Sequence, residues 1–232
     1  MSAQLNYINL VRSRHSTRSY ELHPLTQADR ESIAWAIGLA VPLSNVKLLD
    51  WKLADKSIMG CSALLYAESG TSPNEFVEYG YQGEQIVLAL LADGWGTCWY
   101  RQFCMPGSPC SITVGRPAEP SFRSGLKEAL ARGAIRKPLE KLVTGGIPND
   151  VSPLVGTVLE SARRAPSAMN RQPWSFEVVS DTEVIIKGDT SHDLDLGICL
   201  ANAMVTARQL AGKTTVARLA PAEYLVSWHM ES

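Results

Sequence analysis

The sequence predicts a protein of mixed helix and strand, with a sheet flanked by helices in an α+β or α/β arrangement. Predicted helices interrupt the predicted strands along the whole chain. The same order of elements occurs twice, at a spacing of about 120 residues, which is too long for a solenoid repeat and suits a duplicated domain. The chain has 232 residues, of which 45% are hydrophobic, enough for one large core or two small ones.

Two helices are predicted before the first strands. Residues 4–11 place their apolar side chains on one side of a short helix. Thr26 is the predicted N-cap of a second helix, because Asp29 follows three residues later and can complete a capping box. Pro42 is expected to end that helix.

The rest of the first half alternates predicted strands with two further helices. The nearly all-apolar residues 83–93 favour a buried helix with Gly94 as its C-cap. Ser121 is the expected N-cap of a later helix over residues 122–131. The predicted strands cover residues 47–53, 62–67, 97–101 and 111–114.

The second half repeats this order. Ser152 is the predicted N-cap of a helix with Pro153 at its first position, and Pro166 is expected to end it. The elements predicted after it are strands at 175–179 and 184–187, a helix over 193–210 closed by Gly212, and a strand at 224–229. Few identities connect the halves, so the order of elements carries the predicted duplication.

Composition argues against several classes of protein. Twenty-two Lys and Arg against 23 Asp and Glu leave a net charge of -1, without a general basic field for nucleic acid or an anionic membrane. The five cysteines include no C-x-x-C pair, which favours a reducing compartment over a disulfide framework or a zinc ribbon. The sequence has no signal-peptide pattern and no apolar run near the roughly 20 residues of a membrane helix. We therefore expect a soluble, cytoplasmic protein.

A basic cluster follows the first predicted helix. Arg14 and Arg18 supply guanidinium groups, His15 an imidazole and Ser16 a hydroxyl. Arg binds phosphate oxygens in a bidentate manner and a hydroxyl adds a donor, so the cluster can hold a phosphate. A solvated basic loop is the alternative, since most charge runs are only that.

The second candidate site is the loop at residues 165–174. Its prolines stiffen the chain, and Ser167, Asn170 and Gln172 offer neutral donors and acceptors that suit the edge of a planar heterocycle. A purely structural connection between helix and strand is equally consistent with this sequence, with Trp174 as a core residue.

Other motifs are less specific. The glycines of G-W-G-T-C-W at residues 94–99 permit close approach to something flat, although a C-cap followed by a buried strand explains them equally well. Cys98 is interpreted as a small core residue. The remaining histidines lack metal-ligand spacing, and neither a G-x-G-x-x-G nor a Walker motif is present.

Four segments together resemble the FMN-dependent nitroreductase family. Residues 14–18 look like its N-terminal phosphate-binding stretch, and residues 93–100 are similar to its G-L-G-T-C-W segment. Residues 166–174 resemble its P-S-x-x-N-x-Q-P-W loop, which lines the flavin ring from the partner subunit. Residues 136–140 resemble its C-terminal R-K-P-L-E, whose Arg returns to the phosphate.

The order of these motifs departs from the usual family pattern. At the expected position of the ring-lining loop, residues 41–47 have lost Gln-Pro-Trp, and the intact loop occurs in the second half instead. This arrangement is similar to an internally duplicated, single-chain subgroup in which one chain imitates the usual homodimer. The resemblance implies an α+β fold of two degenerate repeats, each with a mostly antiparallel sheet, at residues 1–144 and 145–232.

The resemblance also implies an FMN-dependent oxidoreductase. It would use NADH or NADPH in a ping-pong reaction to reduce small electron-poor acceptors such as nitroaromatics or quinones. The flavin carries this chemistry, so no catalytic acid, base or nucleophile is expected. The implied cofactor-binding residues are Arg14, His15, Ser16, Arg18 and Arg136 toward the phosphate, and Pro166, Ser167, Ala168, Asn170 and Gln172 toward the ring.

Two alternatives keep the same site. The protein could bind flavin without turnover, as a store or a regulatory module, because a fold does not establish an activity. It could also direct flavin chemistry to another acceptor, for example in dehalogenation. In each case a monomer suffices for one FMN, and further self-association remains compatible with the sequence.

Overall fold

The structure is a computed structural model that describes residues 5–43, 48–118, 135–148 and 151–230. Its helices are α1 (Tyr7–Ser13), α2 (Gln27–Gly38), α3 (Pro73–Ala92), α4 (Pro153–Arg163) and α5 (Asp193–Ala211), with 3₁₀ turns at Leu139–Lys141 and Ala168–Asn170. Its strands are β1 (Trp51–Ala54), β2 (Ala63–Ala67), β3 (Gly96–Tyr100), β4 (Ser111–Gly115), β5 (Trp174–Ser180), β6 (Glu183–Gly188), β7 (Gly212–Ala220) and β8 (Glu223–Met230).

The strands form two sheets with the same topology. The first has the order β1-β2-β4-β3 and the second β5-β6-β8-β7. All neighbouring strands within both sheets are antiparallel. Because all the strand pairs are antiparallel, the fold is α+β and not α/β. The repeated strand order confirms two repeat-like halves.

The long helices α3 and α5 pack against each other between the sheets' cores. A Cβ added to Gly80 of α3 would collide with the Leu194 carbonyl oxygen, and one added to Gly197 of α5 would collide with the Val77 carbonyl oxygen. Only glycine permits this approach of two helix backbones. The crossing is therefore built in the same way from both halves.

Local capping signals place three helix ends as expected. Thr26 and Asp29 form the predicted capping box of α2, and the Ser152 hydroxyl accepts the Val155 N–H at the start of α4. Gly212 follows α5 with a φ of 84°, which favours glycine. Among the described helices, none is long and apolar enough to cross a membrane.

Several predicted boundaries are wrong for identifiable reasons. α3 begins at Pro73, ten residues before the predicted start at residue 83, and its start is marked by the capping box of Ser72 with Glu75, which the prediction did not use. Strand β7 was not predicted because it is mostly exposed and lacks apolar alternation. Helices α2 and α4 end at Gly38 and Arg163, before the prolines expected to end them.

Some predictions fall outside the described residues. These are the helix over residues 122–131 with its Ser121 cap, the beginning of the strand predicted at 47–53, and Ser44 and Asn45 of the loop that lost Gln-Pro-Trp. The described portion of the predicted strand forms β1 from Trp51 onward.

Candidate functional site

The basic cluster after α1 and the loop after α4 line one cleft of about 280 Å³. The two segments are far apart in sequence and belong to different halves. The predicted site residues that line this cleft are Arg14, His15, Ser16, Arg18, Arg136, Pro166, Ser167 and Asn170. The fold thus brings together eight of the ten residues singled out from the sequence.

The cleft is strongly basic. Arg12 and Arg164 also line it, and its described lining residues include no carboxylate. Burial first, and the nearby Arg14 guanidinium second, lower the pKa of Arg136 to about 10. Burial also lowers the pKa of Arg14. Arginines held this close repel one another, so an anion in the cleft would be stabilised by several of them.

Strand β3 holds the basic segment in place. The Thr17 N–H donates to the Thr97 carbonyl oxygen at 2.9 Å, and the Tyr20 hydroxyl donates to the Thr17 carbonyl oxygen at 2.8 Å. A Cβ on Gly96 would lie 2.7 Å from the Thr17 hydroxyl oxygen. The absence of a side chain at Gly96 therefore lets the basic segment around Thr17 pack directly on β3.

The loop after α4 has a strained backbone. Met169, Asn170 and Gln172 have φ values of 52°, 55° and 49°, a region that non-glycine residues seldom adopt. The Ser167 hydroxyl accepts the Gln172 N–H at 2.9 Å, and the Ala168 N–H donates to the Asp195 carboxylate at 3.1 Å. These bonds hold the loop in this conformation.

Arg136 and Lys137 form hydrogen bonds with the same loop. The Arg136 guanidinium donates to the Asn170 side-chain oxygen and, at 3.0 Å, to the Arg164 carbonyl oxygen. Gln172 is 2% exposed, and its side-chain oxygen accepts the Lys137 N–H at 2.8 Å. Gln172 is thus placed behind the cleft, where it can support the loop.

A second cavity of about 330 Å³ continues from the first. The two share Ser16, Arg18, Pro166, Ser167 and Met169 as lining residues. Apolar residues form part of the walls of the second cavity. They are Phe76, Trp99, Ala168, Leu194 and Ile198. Polar and charged residues line the second cavity as well, among them Arg101, His192, Asp193 and Asp195. One end of the combined cleft therefore suits an anionic group, and the other suits a flat group that packs on the apolar side chains and has a polar edge.

Comparison with known proteins identifies the family. The family model described as "Putative TM nitroreductase" matches residues 6–207. The chain belongs to this family. Among solved structures it is similar to a putative nitroreductase from Thermotoga maritima, with 29% identity, coverage of 98% of this chain and 96% of that chain, and a TM-score of 0.82.

Half-chain similarities accompany this match. An FMN-dependent nitroreductase from Clostridium difficile has 15% identity over 49% of this chain and 89% of that chain, with a TM-score of 0.41. A nitroreductase with bound FMN from Bacteroides fragilis has 13% identity over 51% and 92%, with a TM-score of 0.42. The search of curated proteins found no match. The nitroreductase fold expected from the sequence is confirmed by the full-length match.

One charged residue beside the cleft of this nitroreductase-family chain, Glu84, was not predicted from the sequence. Glu84 lies in the middle of α3 and is fully buried. Its Oε2 accepts the Trp99 indole N–H at 2.9 Å, and its Oε1 lies 3.6 Å from Arg14 Nε. Burial raises the pKa of Glu84 to about 7, against the opposing effects of Arg14 and the indole N–H. A glutamate within the apolar segment predicted as a buried helix, residues 83–93, is the signal that could have identified it.

The cysteines and histidines do not form a second reactive centre in the described ranges. Cys98 is buried, and burial raises the pKa of its thiol, as expected for a core residue. His192 lines the second cavity, where its Nδ1 lies 2.8 Å from the Ser191 hydroxyl. Across residues 5–43, 48–118, 135–148 and 151–230, no group of three His, Cys, Asp or Glu could hold a metal ion.

Proposed function

We propose that this chain is an FMN-dependent oxidoreductase that binds one FMN between its two halves, 1–144 and 145–232. The observation that carries the proposal is the continuous cleft with five arginines at one end and aromatic and aliphatic walls at the other. FMN has a dianionic phosphate and a flat ring, so its two ends match the two ends of the cleft.

The residues at the basic end fit a phosphate. Arg14 is almost fully buried, yet its Nε has no hydrogen-bond partner in the described structure. A buried guanidinium is costly unless it is well paired, and a bound anion would add to the pairing that Glu84 provides at 3.6 Å. We infer that Arg14, Ser16, Arg18 and Arg136 contact the phosphate, with His15 beside them.

The loop after α4 fits the ring. Pro166 and Ser167 line both cavities and Asn170 lines the basic one, so the loop runs along the junction between them. Ala168 contributes to the wall of the second cavity, and buried Gln172 fixes the loop from behind. We infer that the loop presents its polar groups to the polar edge of the ring.

FMN bound there would supply hydride exchange between a nicotinamide and an acceptor. The chain's own part is to hold the ring in one orientation, to exclude water with Phe76, Trp99 and Ile198, and to favour negative charge with the nearby arginines. We propose NADH or NADPH as the donor and electron-poor small molecules such as nitroaromatics or quinones as acceptors, with the two reacting in turn.

The described residues on either side of the corresponding first-half segment, 41–43 and 48–49, are bound to α3 by hydrogen bonds. The Leu43 N–H donates to Glu78 Oε1 at 2.9 Å, and the Gln85 side chain donates to the Val41 carbonyl oxygen at 2.9 Å. The Leu49 N–H likewise donates to Gln82 Oε1 at 2.9 Å. One flavin site per chain is favoured because the second half has no basic cluster ahead of α4, and a monomer suffices because one chain supplies both sides of the described cleft.

The visible spectrum of the purified protein tests the proposal. We expect flavin absorbance, assigned to FMN by mass spectrometry, and anaerobic bleaching of that absorbance by NADH or NADPH. Bound flavin that neither nucleotide bleaches would favour a storage or regulatory protein. Failure of the apo-protein to bind added FMN would contradict the proposed site.

A further inference from the structure

A carboxylate lies directly behind the basic end of the cleft. Glu84 is fully buried on α3, and Arg14 is the lining residue that it approaches most directly, at 3.6 Å between Oε1 and Nε. Neither of these two atoms has a hydrogen-bond partner in the described structure. Their interaction is therefore mainly one between charges, without the directional bond of a well-formed pair.

The other carboxylate oxygen serves a different contact. Glu84 Oε2 accepts the indole N–H of Trp99, which lines the second cavity. A glutamine at position 84 keeps nearly the same shape and an oxygen that can accept this N–H. Glu84→Gln therefore removes the negative charge, keeps a side chain of the same size, and keeps an oxygen that can accept the Trp99 indole N–H.

We propose that Glu84 is a counter-charge that limits how strongly the cleft holds a phosphate group. When Glu84 is ionised it offsets part of the Arg14 charge and repels an anion that approaches from the other side. Little water intervenes at a buried carboxylate, so its effect on an anion in the cleft is screened less than at the surface. Glu84 then lowers the preference for FMN over riboflavin, because riboflavin has the same ring but no phosphate.

This inference rests on the proposed function for its natural ligand, but its chemistry can be tested without flavin. Inorganic phosphate is the probe for the basic end alone. Glu78 offers a matched control, because it is another buried glutamate of α3 and binds the Leu43 N–H, away from the cleft. The variants are Glu84→Gln and Glu78→Gln, each compared with the wild type at pH 8, above the Glu84 pKa of about 7.

Titration calorimetry with FMN, riboflavin and inorganic phosphate distinguishes the outcomes. We expect Glu84→Gln to bind FMN and phosphate about tenfold more tightly than the wild type, with riboflavin affinity unchanged. Glu78→Gln should leave all three affinities unchanged. Unaltered or weaker binding of phosphate and FMN by Glu84→Gln would overturn the proposal, as would an equal gain for riboflavin.

The same measurements separate this inference from the proposed function. If Glu84→Gln gains phosphate affinity while neither protein binds FMN, the proposed function fails and the counter-charge stands. If the wild type binds FMN and Glu84→Gln gains nothing, the function stands and the counter-charge fails. Absence of both FMN and phosphate binding in both proteins would refute the two together.

Discussion

Gly80 of α3 and Gly197 of α5 pack on each other's helix in the same way, each against the carbonyl oxygen three residues before the other glycine. Those oxygens belong to Leu194 and Val77. The reciprocity extends the shared strand order of the sheets to the centre of the fold. It is also what an internal duplication with pseudo-twofold symmetry predicts for two equivalent helices.

The first prediction concerns this crossing. Gly197→Ala should lower the free energy of unfolding by about 1–3 kcal/mol, because the added methyl group collides with a backbone oxygen that cannot rotate away. Gly156→Ala in α4 is the control, since no atom lies within 4 Å of its added Cβ. That control should stabilise the protein by about 0.5–1 kcal/mol in urea unfolding. Equal effects of the two variants would refute the close crossing.

A second prediction concerns the basic end of the cleft. Arg14→Ala should weaken FMN binding by roughly tenfold or more, because a charge-assisted bond is worth about 1.5–3 kcal/mol. Riboflavin should be affected much less, since it lacks the phosphate. Arg30→Ala is a suitable control, because Arg30 pairs with Asp55 on the surface. Wild-type FMN affinity in Arg14→Ala would count against the phosphate assignment.

The third prediction concerns the strained loop. Asn170→Gly should retain the fold, because glycine accepts the φ of 55°, yet it should weaken FMN binding several-fold by removing the oxygen that Arg136 binds. Asn170→Leu should also lose about 1 kcal/mol of stability through backbone strain. FMN titration and urea unfolding measure the two effects. Unchanged FMN affinity in both variants would exclude Asn170 from the site.

A fourth prediction concerns pH and Glu84. Its folded pKa of about 7 lies above the ordinary 4.5, because burial outweighs Arg14, Arg136 and the Trp99 N–H. A raised carboxyl pKa contributes stability that is fully present below about pH 4.5 and lost as the pH rises through about 7. From pH 5 to pH 8 the apo wild type should therefore lose roughly 1–3 kcal/mol relative to Glu84→Gln. A constant difference between the two proteins across that range would contradict this.

Much of the fold could be predicted because its signals are local. Thr26 and Ser152 mark helix starts through their side-chain oxygens, Gly212 marks a helix end through its positive φ, and the loop at residues 165–174 forms one contiguous motif. The exposed strand β7 lacks the apolar pattern that such predictions use. Glu84 could not be placed because its role depends on Arg14 and Trp99, which only the tertiary fold brings to it.

The central claim is one FMN per chain, held between the two halves. Titration of the apo-protein with FMN, with the mass in solution measured at each point, tests it most directly. We predict saturation at one FMN per chain in a species of monomer mass, because the chain supplies both sides of the cleft. Two equivalent flavins per chain, or binding seen only in a dimer, would contradict this account.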